Sequence, residues 1–472
     1  MPLQEIARRS SQGVDPRVKL QVDRMVSPML GPIRRLMALS YDASSPAACT
    51  ILPELADVHR RAGLLSAPEY HLGGYGFSLE ESMRKALGES AERAALMTFH
   101  AYCAPLLRRT SQQELERQDV AHIPLAQLAL FSPQQRAQAH FPFSVVAEQT
   151  PITWVPMLDL QKDSTTLLPA QAVLNGFPCQ DEARATLVVS TGTATHVNYG
   201  RALRGALLEL LQIDAAMGHW YSTTTAQKID VSPQSTPRFA HFLTQYSSWW
   251  KREDSDIEFY WLPQPDGIPV YIVICAIRRP TGYPAVAFGL GVSLDLDTAL
   301  YGAFIEAIPV NFIAMVNGLD RLYGTRDTNE TPQRQTKDLQ SAYRSFESST
   351  DTDFDSNVGF YALPEQATRL FPARFDPRRQ ISGSAIRQQV AEIPRDTPFD
   401  EANSILFAKV LQKYRIYALD ITTNDSKALG YRVVRLFSPD LLALCAPRYP
   451  QASHPRFQAY GGFHKVEPHP YP

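Results

Sequence analysis

Glu89 and Glu92 stand three residues apart in Ala86-Leu-Gly-Glu-Ser-Ala-Glu-Arg93. On a helix that spacing puts both carboxylates on one face. Alanines and Gly88 surround them, so the face can pack closely. Two carboxylates held there either repel or share a cation. Mg2+ takes oxygen ligands from a few carboxylates, completed by phosphate and water. The competing reading is a solvated face neutralised by Arg93; the small flanking residues favour the ligand reading.

The pattern recurs at Glu209 (with Gln212) and at Glu306. Alanine stands three residues before each glutamate (Ala86, Ala206, Ala303), and a small residue seven before (Ser82, Ala202, Ala299). A glycine lies upstream of each. Every copy reads as a small-residue turn, a polar loop and an apolar-striped helix with an inward glutamate. Three copies imply a pseudo-repeated α+β core. The copies are unequal: Gln212 offers oxygen without charge, and Pro309 is expected to break the third helix.

The elements that position these residues follow from periodicity. The first helix leaves the glycine turn Gly73–Gly76 and runs to about His100. The second runs past Asp214 to Tyr221. Strands are expected near 47–58, at 152–160, 268–277, 416–422 and 431–437, with a further helix near 402–414. Residues 105–150 read as a polar connector, 222–257 as a polar excursion, and 325–353 as a loop. The division is 1–26 as a polar segment, 27–448 as one domain, and 449–472 as a tail ending Pro468-x-Pro470-x-Pro472.

A net charge of −2 marks no nucleic-acid or membrane binder. The apolar runs, such as 270–277, are strand-length. Five scattered cysteines without a CxxC imply reduced thiols in the cytoplasm, with neither a zinc site nor a disulfide framework. No P-loop and no Ser-His-Asp or Cys-His set is discernible. His464 and His469 are candidate proton-transfer groups, weighed against the usual reading of tail histidines as exposed and incidental.

The chain resembles the YcaO superfamily, on Ala86–Arg93, Glu209-Leu-Leu-Gln-Ile-Asp214, Asp355-Ser-Asn-Val358, Asp420-Ile-Thr-Thr423, Val433-Val-Arg435 and the proline tail. The tail looks like the ending of the azoline-forming branch, the cyclodehydratase D protein. The resemblance implies a YcaO fold around a nucleotide site, with ATP and Mg2+. It implies phosphorylation of a backbone amide oxygen in a ribosomal precursor peptide, closing Cys, Ser or Thr to thiazoline or oxazoline. Glu89, Glu92, Glu209 and Gln212 then match the metal ligands. Ser82, Arg435, Tyr75 and Lys85 join them at the nucleotide. The carboxylate of Pro472, held by Pro468 and Pro470, matches the catalytic tail.

Tyr75 stands where the family often has lysine, Lys85 where it has a small serine, and Pro309 and Asn311 where it has glutamine and arginine. Lys85 is a candidate to replace the missing charge. The resemblance implies an E1-like, leader-binding partner, expected as a separate chain at this length, and an FMN-dependent azoline dehydrogenase. The alternatives are YcaO-type thioamide or amidine formation, and a non-catalytic scaffold.

Overall fold

Three strand–helix units, alike in detail, carry the three glutamates. In the first, β1 (Ile33–Leu39), β2 (Cys49–Leu55) and β3 (Gly74–Gly76) form an antiparallel sheet. The computed structural model describes residues 15–39, 48–63, 72–139, 141–179, 181–247, 255–279, 282–323, 355–364, 371, 374–447, 449–464 and 467–471. The reading of 325–353 therefore lies outside the described residues, as does Pro472.

The second sheet runs in the order β4 (Arg108–Thr110), β5 (Ile152–Asp159), β13 (Tyr417–Asp420), β14 (Arg432–Phe437), β7 (Thr193–His196), with β6 (Ser164–Pro169) also on β5. The third runs β11 (Val286–Ser293), β10 (Tyr271–Arg278), β9 (Asp256–Trp261), β8 (Ala226–Asp230), β12 (Phe375–Ser382). Ahead of them, α1 (Pro16–Met25) is capped by Asp15.

The glutamate helices are α2 (Leu79–Tyr102), α3 (Tyr199–Trp220) and α5 (Leu296–Tyr323). Each starts three residues past the end of β3, β7 or β11. Each is capped by a side-chain oxygen, from Ser78, Asn198 or Asp295, that accepts the backbone N–H three residues on. From cap to glutamate is eleven residues in all three. Pro309 does not break α5, which continues through it. Losing one backbone hydrogen bond is tolerated where the helix is packed along its length.

The layers close on themselves. Gly74 of β3 faces α2, while Tyr75 and Phe77 turn to α5, where Phe77 stacks on Phe304 at 5.9 Å. On β7, Ala194 faces α3; on β14, Val433 turns the other way, to Ala95 and Leu96 of α2. On the third sheet, Gly289 and Gly291 face α5, and Phe288 and Leu290 pack with α3. Each sheet thus lies between its own helix and that of another unit. A strand buried on both faces reads as a continuous apolar run, which is why 271–277 was the most legible.

The small residues set the closeness of this contact. A Cβ on Gly291 would sit 2.0 Å from the Ala299 carbonyl oxygen and 2.4 Å from the Ala303 nitrogen. Backbone atoms cannot swing aside. Gly291→Ala is expected to cost about 1–3 kcal/mol or more, as overpacked cores do. Gly88→Ala, with nothing within 4 Å on α2, is expected to stabilise by up to about 1 kcal/mol. Urea denaturation of both variants checks the contrast.

Two polar readings are corrected. Within 222–257, β8 sits inside the third sheet, and α4 (Pro237–Ser247) buries Phe239 and Phe242 against α5. Residues 105–150 contribute Leu115, Ile123, Leu125 and Leu128 to a cluster around Trp154. Their apolar positions are spaced irregularly between prolines and give no period to read. Among the described residues one helix segment, Leu296–Met315, is long and apolar enough to cross a membrane (mean hydropathy 1.4), unlike the strand-length runs expected. It is the core helix α5, with 67% of the segment buried.

Candidate active site

The repeat brings Glu89, Glu209 and Glu306 together. Glu89 accepts the backbone N–H of Gly73 at 3.1 Å, and Glu209 accepts those of Gly192 and Thr193. Gly73 and Thr193 each lie sixteen residues before their glutamate, at the start of the strand. Both carboxylates therefore cap the strand that leads into their own helix. The equivalent position in the third unit, Leu290, is inside β11 and already paired, so Glu306 has no such tether. It is exposed to water although protein surrounds it on most sides, as on the wall of a cleft.

Arg93 sits between the first pair, with Nη2 3.1 Å from Glu89 and Nη1 3.3 Å from Glu92. Arg435, buried on β14, donates to the Thr191 carbonyl and to Thr193 Oγ1 at 3.0 Å. Nε of both arginines is buried without an acceptor.

The charges are unbalanced. Desolvation, opposed by Arg93, then the negative charge of Glu209 and Glu89, pushes Glu92 up. Glu209 rises through desolvation, held back by Arg93 and Arg435. Glu306 is pushed up to about 8 by desolvation, then by Glu89 and Glu209, with Lys85 opposing. Arg435 falls to about 10, because burial outweighs Glu209 and Glu92. Mutually repelling carboxylates favour a divalent cation, and unfilled guanidinium donors favour an anion. Among the described residues no three His, Cys, Asp or Glu side chains are grouped closely enough to hold a metal alone. Mg2+ suits such a site, since it keeps water and phosphate as ligands.

The other expected residues are placed as follows. Gln212 is half-buried on α3, one turn past Glu209. Lys85 pairs with Glu81 at 2.8 Å and lies 5.8 Å from the Tyr301 ring. Ser82 does not face the cleft: it is fully buried, with its hydroxyl 2.7 Å from the Cys49 carbonyl, in the helix–sheet contact. Tyr75 points to the α5 side of β3, its hydroxyl close above Gly73. Asn311 is buried against Arg279, 2.6 Å from Nη1. His469, read as exposed, is fully buried, and burial lowers it to about 4.

Sequence reasoning missed Glu81. It accepts from Lys85, from the Phe77 N–H at 3.3 Å and from the Tyr301 hydroxyl at 2.7 Å, tying α2 to α5. Its place in the first turn after Ser78 gave no hint of that partner. A cavity of about 460 Å3 lines the opposite face of α2, at Ala91, Ala94, Thr98 and Ala101, and holds none of the glutamates.

A family model described as YcaO cyclodehydratase, ATP- and Mg2+-binding, matches residues 73–442. The chain belongs to the YcaO family. Its cofactors are ATP and Mg2+. No curated protein matches. Among solved structures, a heterocyclase in complex with substrate and cofactor superposes with a TM-score of 0.60 at 17% identity, covering 90% of this chain. The chain spans about half (52%) of that heterocyclase. YcaO from Methanopyrus kandleri, bound with AMPPCP and Mg2+, gives 0.57 at 14% identity, covering 94% of this chain and 92% of the other. A chain of the E. coli microcin synthetase McbBCD complex with pro-MccB17 bound gives 0.55 at 13%, covering 95% and 99%. At these identities the likeness shows the YcaO fold, and the donor set of this site fits the family's ATP and Mg2+.

Proposed function

We propose that this YcaO protein is an ATP-dependent cyclodehydratase that closes Cys, Ser or Thr of a ribosomal precursor peptide to thiazoline or oxazoline. The observation that supports it is the meeting of three carboxylates with two arginines whose Nε–H groups lack acceptors. ATP with Mg2+, when bound, supplies the phosphoryl group that makes an amide oxygen a leaving group. In outline, the peptide side chain loses its thiol or hydroxyl proton as it attacks the preceding carbonyl carbon, and the resulting oxyanion would be phosphorylated. Phosphate then departs as C=N forms and the amide proton is lost. The sum is peptide plus ATP to azoline, ADP and phosphate.

Glu89, Glu92 and Glu209 would hold the metal, with Gln212 adding a neutral oxygen. Arg93 and Arg435 would meet phosphate charge, which suits a reaction that depends on positioning and neutralisation. Lys85 adds positive charge beside Glu306, which is reached by water and placed to hold or take a proton. The carboxylate of Pro472, held by Pro468 and Pro470, completes the proposal as the catalytic tail. A separate E1-like subunit would present the peptide, an FMN-dependent dehydrogenase would oxidise its rings, and the setting is the cytoplasm.

Incubation with ATP, Mg2+, the partner subunit and the precursor tests this by mass spectrometry. The expected product has lost one water per ring, with matching phosphate release. Oxygen exchanged for sulfur would assign thioamide formation instead. Absence of ATP turnover in the complete mixture would leave the scaffold reading.

A further inference from the structure

The last described residues are held unlike a loose proline-rich end. Trp220 Nε1 donates to the Glu467 carbonyl at 2.9 Å, and the Tyr361 hydroxyl to that of Pro468. The Asn357 amide nitrogen donates to two carbonyls, His469 at 2.7 Å and Tyr471 at 2.6 Å. Asn357 lies on α6 (Asp355–Tyr361) and is fully buried. His469 N–H donates to the Tyr221 hydroxyl at 3.2 Å. His469 Nε2 lies 2.8 Å from the Cys445 carbonyl, which can only accept, so the proton is on Nε2. Nδ1 then accepts the Tyr471 N–H at 3.3 Å. Pro468 and Pro470 have no N–H to satisfy.

Main chain held almost wholly by side chains from elsewhere is how a groove holds an extended peptide. We propose that Trp220, Tyr221, Asn357, Tyr361 and Cys445 form a binding groove for an extended Pro-His-Pro-Tyr segment, filled in cis by residues 467–471. Asn357 is its positioning residue. The groove needs no nucleotide, so it stands or falls independently of the cyclodehydratase reading. An amide spanning carbonyls two residues apart fits a chain whose φ angles proline has fixed, which keeps the ordering cost low.

A chain stopped after His464 and a fluorescent peptide of residues 465–472 provide the direct test. Anisotropy is expected to show saturable binding, weakened at least tenfold by Asn357→Ala and equally by Asn357→Asp, which offers two acceptors to two carbonyls. No binding to a truncated chain that still melts cooperatively overturns the proposal, as does binding indifferent to both substitutions. Should the truncated chain fail to fold, hydrogen exchange in the full chain decides. The His469 and Tyr471 amides should exchange at least tenfold faster in Asn357→Ala, with α2 protection unchanged. Equal exchange in both proteins overturns the groove.

Discussion

Glu89→Gln is expected to lower ATP-dependent phosphate release by at least about 100-fold, the scale of losing one designed electrostatic contact in an active site. The fold should survive. Glutamine keeps an oxygen for the Gly73 N–H, and its amide removes one of three mutually repelling charges. Stability in the absence of nucleotide should be unchanged or raised, the trade expected where a site stores repulsion for its ligand. The repulsion also has a pH signature. Glu306 has an ordinary pKa near 4.5 and is pushed to about 8 in the fold. A carboxylate raised on folding contributes stability below 4.5 that is lost as pH rises through 8. The free protein should therefore weaken over that window, and Glu306→Gln should flatten the decline. Calorimetry across pH and a phosphate-release assay measure both. Full turnover in Glu89→Gln, or a loss that merely tracks unfolding, removes the basis for assigning this carboxylate to the metal.

The repeat was legible because its spacing is set by packing. The alanine three residues before each glutamate and the small residue seven before it are the positions that meet the facing strand, as Ser82 and Ala86 meet Gly74, and Ala299 and Ala303 meet Gly291. Spacing could not tell which groups open to the cleft. Ser82 matched a nucleotide contact by position, yet the same close approach that makes it small also seals it under the sheet. Arg93 entered only through the competing reading, as a neutraliser of a solvated face. It is half-buried between Glu89 and Glu92, and the arrival of Glu209 and Arg435 from far along the chain, which local spacing does not encode, completes the charge cluster. Chain stretches without a hydrophobic period, such as 105–150, hid their core residues because loops are buried here by neighbours that local sequence does not encode.

Asp214 follows Glu209 by five residues at the end of the matching motif, and its partners come from the C-terminal region. Its carboxylate has no solvent exposure. It accepts Arg456 Nη2 at 2.7 Å and Nε at 3.0 Å, the Tyr460 hydroxyl at 2.7 Å and the Leu442 N–H at 3.0 Å. Gly218, one turn on, leaves room for the Tyr460 ring, which a Cβ would meet at 2.4 Å. Asp214→Ala is expected to cost about 3–5 kcal/mol, the usual loss when one partner of a buried pair is removed. Arg456 keeps Asp266 at its outer edge, which holds the loss within that range. Tyr460 and the Leu442 N–H lose an acceptor in the core, so water cannot easily make up the difference. Replacing both charges, as in Asp214→Leu with Arg456→Met, should recover most of the loss, because no charge is then left stranded. Urea denaturation of the three proteins measures the cycle. An Asp214→Ala variant within about 1 kcal/mol of the parent would mean that water or Asp266 takes over the guanidinium, since an uncompensated buried charge costs more than that.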